Sequence, residues 1–170
     1  MKEKNTAKII IRKAKLKDID ELIRIEKKYI KELNKFETKD FRITGFVDEK
    51  LKKLFKKKIL KKRKLFLVLS DKKNKLYGYM FAEISKNRMI SLGYEHKIIH
   101  FLYLENVFID KKIRGQGYFF KFENEIINFA KKNKIKTIEL HVSDHNKIAK
   151  NIYEKMGFES REKRMRLKLK

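Results

Sequence analysis

The chain has 170 residues, of which 42% are hydrophobic and 41% charged; 47 Lys plus Arg against 22 Asp plus Glu give a formal charge of +25, and cysteine and proline are absent. This length suits one domain with a real core, and the lack of cysteine excludes disulfide frameworks, thiolate nucleophiles and zinc–thiolate sites. The early apolar cluster Ile9 to Ile11 is too short for a signal peptide, and no stretch approaches the roughly 20 apolar residues of a bilayer span. A soluble, cytoplasmic protein with no membrane partner is expected.

In chain order, Ile9 to Arg12 reads as a short β-branched strand. Lys17 to Leu33 repeats Ile19, Leu22, Ile23, Ile25, Tyr29 and Ile30 at helical intervals. A polar and aromatic connection, 34–47, leads to a second helix over Asp48 to Leu60. Leu65 to Ser70 and Leu76 to Ile84 form a hairpin about a turn at Asp71 to Lys75. A strand over Ile98 to Ile109 follows, then a glycine turn at Arg114 to Gly117. Beyond it Phe119, Phe122, Ile126, Ile127 and Ala130 lie on one helical face. Lys136 to Val142 alternates as a strand, Asn146 to Lys155 repeats as a helix, and Met165, Leu167 and Leu169 mark a final strand. The order βααββ then βαβαβ, with no repeat or linker, predicts one mixed α/β unit over residues 1–170.

The charge invites a nucleic acid or another polyanion as partner. The densest basic run, Lys56 to Lys64, argues for a plainer reading: Leu51, Leu54, Phe55 and Ile59 take one helical face and leave the lysines on the solvated one. Nucleic acid is therefore not the favoured partner.

At Arg114-Gly115-Gln116-Gly117 two glycines let backbone N–H groups approach an anion that a side chain would push away. The free amides and dipole of the following helix start add to this, and Arg114 can supply a charge-assisted bond. The ligand such a turn suits is a pyrophosphate. Taken alone, the pattern is as often a tight turn.

The surroundings decide between them. The turn follows Asn106-Val107-Phe108-Ile109, and about thirty residues later come Leu140-His141-Val142, Asn146, Ala149, Ile152, Tyr153, Gly157 and Phe158. Together these resemble the GNAT superfamily of N-acetyltransferases. Its first motif is a strand and then R-x-x-G-x-G/A opening a helix. Its second is L-x-V-x-x-x-N-x-x-A-x-x-L-Y-x-x-x-G-F, matched here nearly throughout with Ile152 in place of leucine. The resemblance covers the full length. It departs at Phe119, where the family has glycine or alanine; the expectation is that this ring turns into the core and leaves the cradle open.

The resemblance implies an α/β (α+β) fold: a mostly antiparallel sheet of six or seven strands, about four flanking helices, and two central parallel strands splayed apart. It implies acetyl-CoA as co-substrate, with no metal, and a primary amine as acceptor. Val107, Phe108 and Ile109 would meet the pantetheine arm, and Arg114, Gly115, Gln116, Gly117, Tyr118 and Phe119 the pyrophosphate. Asn146, Ala149 and Tyr153 would line the same arm from the other side. The position of Asn146 also suits a helix N-cap.

Acetylating an amine requires a neutral nucleophile, and deprotonating a lysine-like amine at pH 7 costs ~4.6 kcal/mol. Tyr153 matches the family's acid for the departing thiolate. Two residues are candidates for the base. Glu105, in Tyr103-Leu104-Glu105-Asn106, lies in a string similar to the polyamine and thialysine acetyltransferase branch. His141 occupies the position where certain protein N-terminal acetyltransferases carry a glutamate, and its ordinary pKa near 6.5 suits neutral operation. The acceptor is directed by the first two helices and 85–97, and Glu83, Glu95, Glu105 and Asp144 would have to gather into an acidic pocket to hold a cation. A homodimer is the common closed assembly. The rival reading is a basic module that binds nucleic acid or ribosomes on the same fold without turnover.

Overall fold

The computed structural model describes residues 8–37, 39–86, 98–163, 165 and 167. Five strands form one sheet in the order β1-β2-β3-β4-β5: β1 (Ile10–Lys13), β2 (Lys64–Ser70), β3 (Leu76–Lys86), β4 (His100–Ile109) and β5 (Ile138–Leu140). The first four pair antiparallel and β5 runs parallel to β4. Four helices flank the sheet: α1 (Ile19–Leu33), α2 (Asp48–Leu60), α3 (Tyr118–Lys132) and α4 (Lys147–Lys155).

Strand β2 is buried nearly end to end because both of its faces are covered. Leu65, Leu67 and Leu69 pack with Met80, Ala82, Leu102 and Leu104 under Phe122, Ile126 and Ala130 of α3. The alternate residues Phe66 and Val68 pack with Tyr79, Phe81 and Phe108 under Leu22, Ile23 and Ile25 of α1 and Phe55 of α2. Each such buried side chain contributes about 1.5–3 kcal/mol, so the two apolar layers together hold the helices to the sheet. Close approach also constrains the backbone: a Cβ on Gly78 would lie 2.5 Å from the Phe108 carbonyl oxygen.

Asp18 fastens β1 to α1. Only 1% of its side chain is exposed, and it takes two bonds from the Arg12 guanidinium, at 2.7 and 2.8 Å, and one from the Lys15 amide. Burial works to raise its carboxyl, but the Arg12 bond and the Lys15 amide outweigh burial and hold it below the ordinary value.

A bulge in β4 sets up everything that follows. Phe81 pairs with Asn106 and the next residue, Ala82, with Leu104, so Glu105 has no partner on β3. One extra residue reverses the alternation of faces. Before it Leu102 and Leu104 face α3; after it Phe108, also even-numbered, faces α1 and α2.

The structure departs from the sequence expectations at several points. The sheet has five strands among the described residues, not six or seven. Met165 and Leu167 are exposed and outside any strand, while Leu169 lies outside the described residues. The expected run Lys136 to Val142 keeps only three ladder residues, Ile138–Leu140. The lysines of α2 are also not all solvated: the Lys58 side chain is 11% exposed, and Leu54 is exposed instead. The expected substrate segment 85–97 lies outside the described residues from 87 onward.

Candidate active site

The parallel ladder of β4 and β5 holds only for Leu102 with Ile138, Tyr103 with Glu139, and Leu104 with Leu140. Beyond it β4 continues to Ile109 while β5 has ended, so the two part at the bulge. Asp110 donates its amide to Tyr77 across β3. By alternation, Val107 and Ile109 turn their peptide groups to the open side, and the Ile109 carbonyl accepts a bond from Arg114 there. The gap is a cleft lined by Leu104, Glu105, Val107, His141, Asn146 and Tyr153, among others.

At the far end of β4 the chain makes a 3-10 turn and reaches Gly115 and Gly117, at φ +77° and +76°. L side chains rarely adopt this left-handed region, and a Cβ added at either glycine meets nothing within 4 Å. Gly117 begins α3 without a side-chain cap. As a result, the amides of residues 115–120 make no hydrogen bond among the described residues; the next one, of Lys121, bonds the Gly117 carbonyl. Six consecutive unpaired donors at the positive end of a 15-residue helix form a site for anionic oxygens. The Arg114 guanidinium is turned away from it, bonded to Glu32 at 2.6 Å and to the Ile109 carbonyl at 2.8 Å.

Phe119 does not turn into the core. Its position falls beside the inward stripe of Phe122, Ile126 and Ala130, and its half-buried ring leans on that of Tyr153, with centroids 6.0 Å apart. Tyr153 is braced from the other side by Phe158 at 5.6 Å. The end of α4 explains that contact. Gly157, at φ +87°, lets the Phe158 amide reach back to the Tyr153 carbonyl at 3.0 Å, a helix-closing arrangement open to glycine. At the start of α4 the Asn146 side chain accepts the Ala149 amide, so Asn146 is the N-cap while lining the cleft. Burial, with a smaller contribution from Tyr29, pushes the Tyr153 phenol up to about 12, and the hydroxyl has no hydrogen bond among the described residues.

On the α1/α2 side of the cleft lies a cluster that sequence reasoning missed. Lys58 Nζ donates to Glu105 Oε1 at 2.6 Å and to Asn106 Oδ1 at 3.2 Å, and sits 4.4 Å from the centre of the Phe81 ring. Tyr79, buried at 1% exposure, donates its hydroxyl to Glu26, and the Tyr29 ring packs edge-on against Tyr79 at 6.4 Å. Burial raises the Glu26 carboxyl; Tyr79 and Lys58 offset part of that rise, and Glu105 adds to it. The signals were present in the sequence. Glu26 interrupts the apolar stripe of Leu22 and Ile30, and Lys58 lies at the inward spacing of Leu51 and Phe55.

His141 Nδ1 is hydrogen-bonded to the Tyr103 hydroxyl at 2.7 Å. The acidic residues that could have formed a cation pocket do not gather: Glu83 pairs with Lys61, Asp144 with Lys150 and Glu105 with Lys58, while Glu95 lies outside the described residues. Among the described residues no cluster of three or more His, Asp or Glu side chains could hold a metal ion, and no helix is long and apolar enough to cross a membrane.

Comparison with solved structures places this architecture. A tetramutant of the BH1408 protein from Bacillus halodurans superposes with a TM-score of 0.79 at 23% identity, over 94% of this chain and 99% of that one. A predicted acetyltransferase with acetyl-CoA from Clostridium acetobutylicum gives 0.71 at 19% identity, over 95% and 96%. The aminoglycoside antibiotic 6'-N-acetyltransferase AAC(6')-Ih from Acinetobacter baumannii gives 0.68 at 15%, over 96% and 99%. At these identities the likeness is one of fold. No curated protein matches the chain in sequence. Residues 29–158, from the last turns of α1 through the Gly157-Phe158 helix end, match the Acetyltransferase (GNAT) family, and the chain belongs to that family.

Proposed function

We propose that residues 1–170 form one acetyltransferase domain that moves an acetyl group from acetyl-CoA to a primary amine in a ternary complex. The observation that carries this reading is the pairing of two features along β4: the unpaired amides of residues 115–120 and, where β4 leaves β5, a cleft containing Tyr153. A diphosphate suits the first, and an extended amide-bearing arm suits the open peptide groups of Val107 and Ile109. Phe108 between them supports the arm from the core. Gln116 and Tyr118 contribute backbone donors to the turn, and Ala149 and Asn146 form the opposite wall.

The thioester supplies the electrophilic carbonyl. The amine nitrogen forms the new C–N bond as the C–S bond breaks. Tyr153 gives its proton to the departing sulfur, because a phenol pushed up to about 12 stays protonated throughout the neutral range. Two groups are placed to take the amine's proton: Glu105, and His141 through the ring nitrogen not engaged by Tyr103. Thiol release from acetyl-CoA across a panel of alkyl, sugar and peptide amines tests the reading. Release should appear with at least one amine, and calorimetry should show saturable acetyl-CoA binding. Background rates throughout, with no binding, would remove it.

A further inference from the structure

Resting on that reading, we propose that Lys58 occupies the acceptor's own ammonium site, so that an alkyl primary amine enters by displacing it from Glu105 and Asn106. Lys58 departs from its helix. Lys52, Lys53, Lys56 and Lys57 lie on the solvated face of α2, whereas Lys58 lays its chain inward across the Phe81 ring. Its ammonium meets a carboxylate oxygen, an amide oxygen and an aromatic face, a set of partners suited to a primary ammonium.

The β4 bulge makes the site. It releases Glu105 from pairing and brings the adjacent side chains of Glu105 and Asn106 to one nitrogen. From α1 the half-buried Glu26 carboxyl faces the same charge, held by Tyr79. The cage borders the reaction cleft, because Glu105 lines that cleft together with Tyr153. It also opens to water, with 38% of the Glu105 side chain exposed.

Displacement has a chemical consequence. While Lys58 is in place Glu105 is engaged by its ammonium, and once the acceptor's ammonium has taken its place Glu105 receives the acceptor's proton. The freed nitrogen then attacks the thioester, forming the C–N bond while the C–S electron pair leaves with the sulfur, which takes the Tyr153 proton; the phenolate recovers a proton from the N–H that the new amide nitrogen loses. The acceptor class that fits is an unbranched alkylamine carrying one charge, like the lysine side chain now in the cage.

Two measurements test this. The first is steady-state kinetics with n-butylamine for wild type and Lys58→Met, which keeps the chain length and apolar packing, with circular dichroism to verify the fold. Removing the internal competitor should lower KM about tenfold without lowering kcat. A KM that is unchanged or raised would mean Lys58 only positions Glu105, and would overturn the inference while thiol release still upheld the acetyltransferase reading. The second needs no turnover: acylation of Lys58 by an amine-reactive reagent at neutral pH, read by peptide mass, with and without saturating n-butylguanidinium, whose N–H groups can take over the bonds to Glu105 and Asn106 and which does not consume the reagent. Labelling should rise severalfold as Lys58 is driven into water, and no rise would overturn the inference even in an inactive protein.

Discussion

The two sides of β4 are built differently. Toward α3 and α4 the site is made of backbone: unpaired amides after Gly115, peptide groups turned out at Val107 and Ile109, and a helix cap at Asn146. Toward α1 and α2 it is made of side chains from four elements: Glu26, Lys58, Tyr79 and the bulged pair Glu105 and Asn106. A backbone site depends on local conformation and so leaves a short, spaced motif in the sequence. A side-chain site depends on which elements meet, and it can change its chemistry without changing the fold.

The comparison makes separable claims, and the largest expected effect is at Tyr153. Tyr153→Phe keeps the ring between Phe119 and Phe158 and removes the proton, so kcat should fall about 10²–10⁴-fold while calorimetric acetyl-CoA affinity stays within a few-fold. A loss of affinity instead would merge the two sides. Because the phenol is raised, its own deprotonation should not limit the rate until the pH approaches about 12. A pH–rate profile with a Tyr153-dependent decline near the ordinary value of 10 would contradict that.

Gly117→Val should weaken acetyl-CoA binding about tenfold to a hundredfold, since a β-branched residue is forced to φ +76° at the amide cradle. Its effect on the KM for amine should be small, and an equal loss of both would break the division. Asp18→Asn, remote from both sides, should cost about 3 kcal/mol by leaving Arg12 unmatched, read as a shift in the denaturation midpoint. Since the folded carboxyl is held below its ordinary 3.8, its contribution is present above that value and is lost as pH falls through the lower folded one. Glu105→Gln should lower kcat/KM for amine about 10²-fold, the low end of what a general base supplies. If His141→Ala is the more damaging of the two, the base is His141.

The sequence was read most accurately where a single periodicity controls an element. Helix α2 spans Asp48 to Leu60 as its apolar spacing and acidic first turn predict. The hairpin of β2 and β3 follows from two apolar runs about a polar turn. The Gly157-Phe158 helix end is visible because only glycine closes that helix without strain. The bulge was not legible, since Leu102 to Ile109 reads as one uninterrupted strand and the extra residue is fixed by β3. Nor were the partners of Arg114 and Lys58, which lie 82 and 47 residues away at Glu32 and Glu105. The offset of Phe119 from the α3 stripe is a difference of one position, too fine for a helical period to resolve before packing is known.

The unpaired residue in β4 also sets where this strand tolerates a change in length. Deleting Glu105 would close the bulge and leave Leu104 and Asn106 opposite Ala82 and Phe81 as they are now, so Phe108 would stay beneath Tyr29 and Val107 beside the cleft. Flattening the bulge with Glu105 retained would instead turn Val107 and Phe108 over, so the fold can survive loss of this residue while the cage around the Lys58 ammonium cannot.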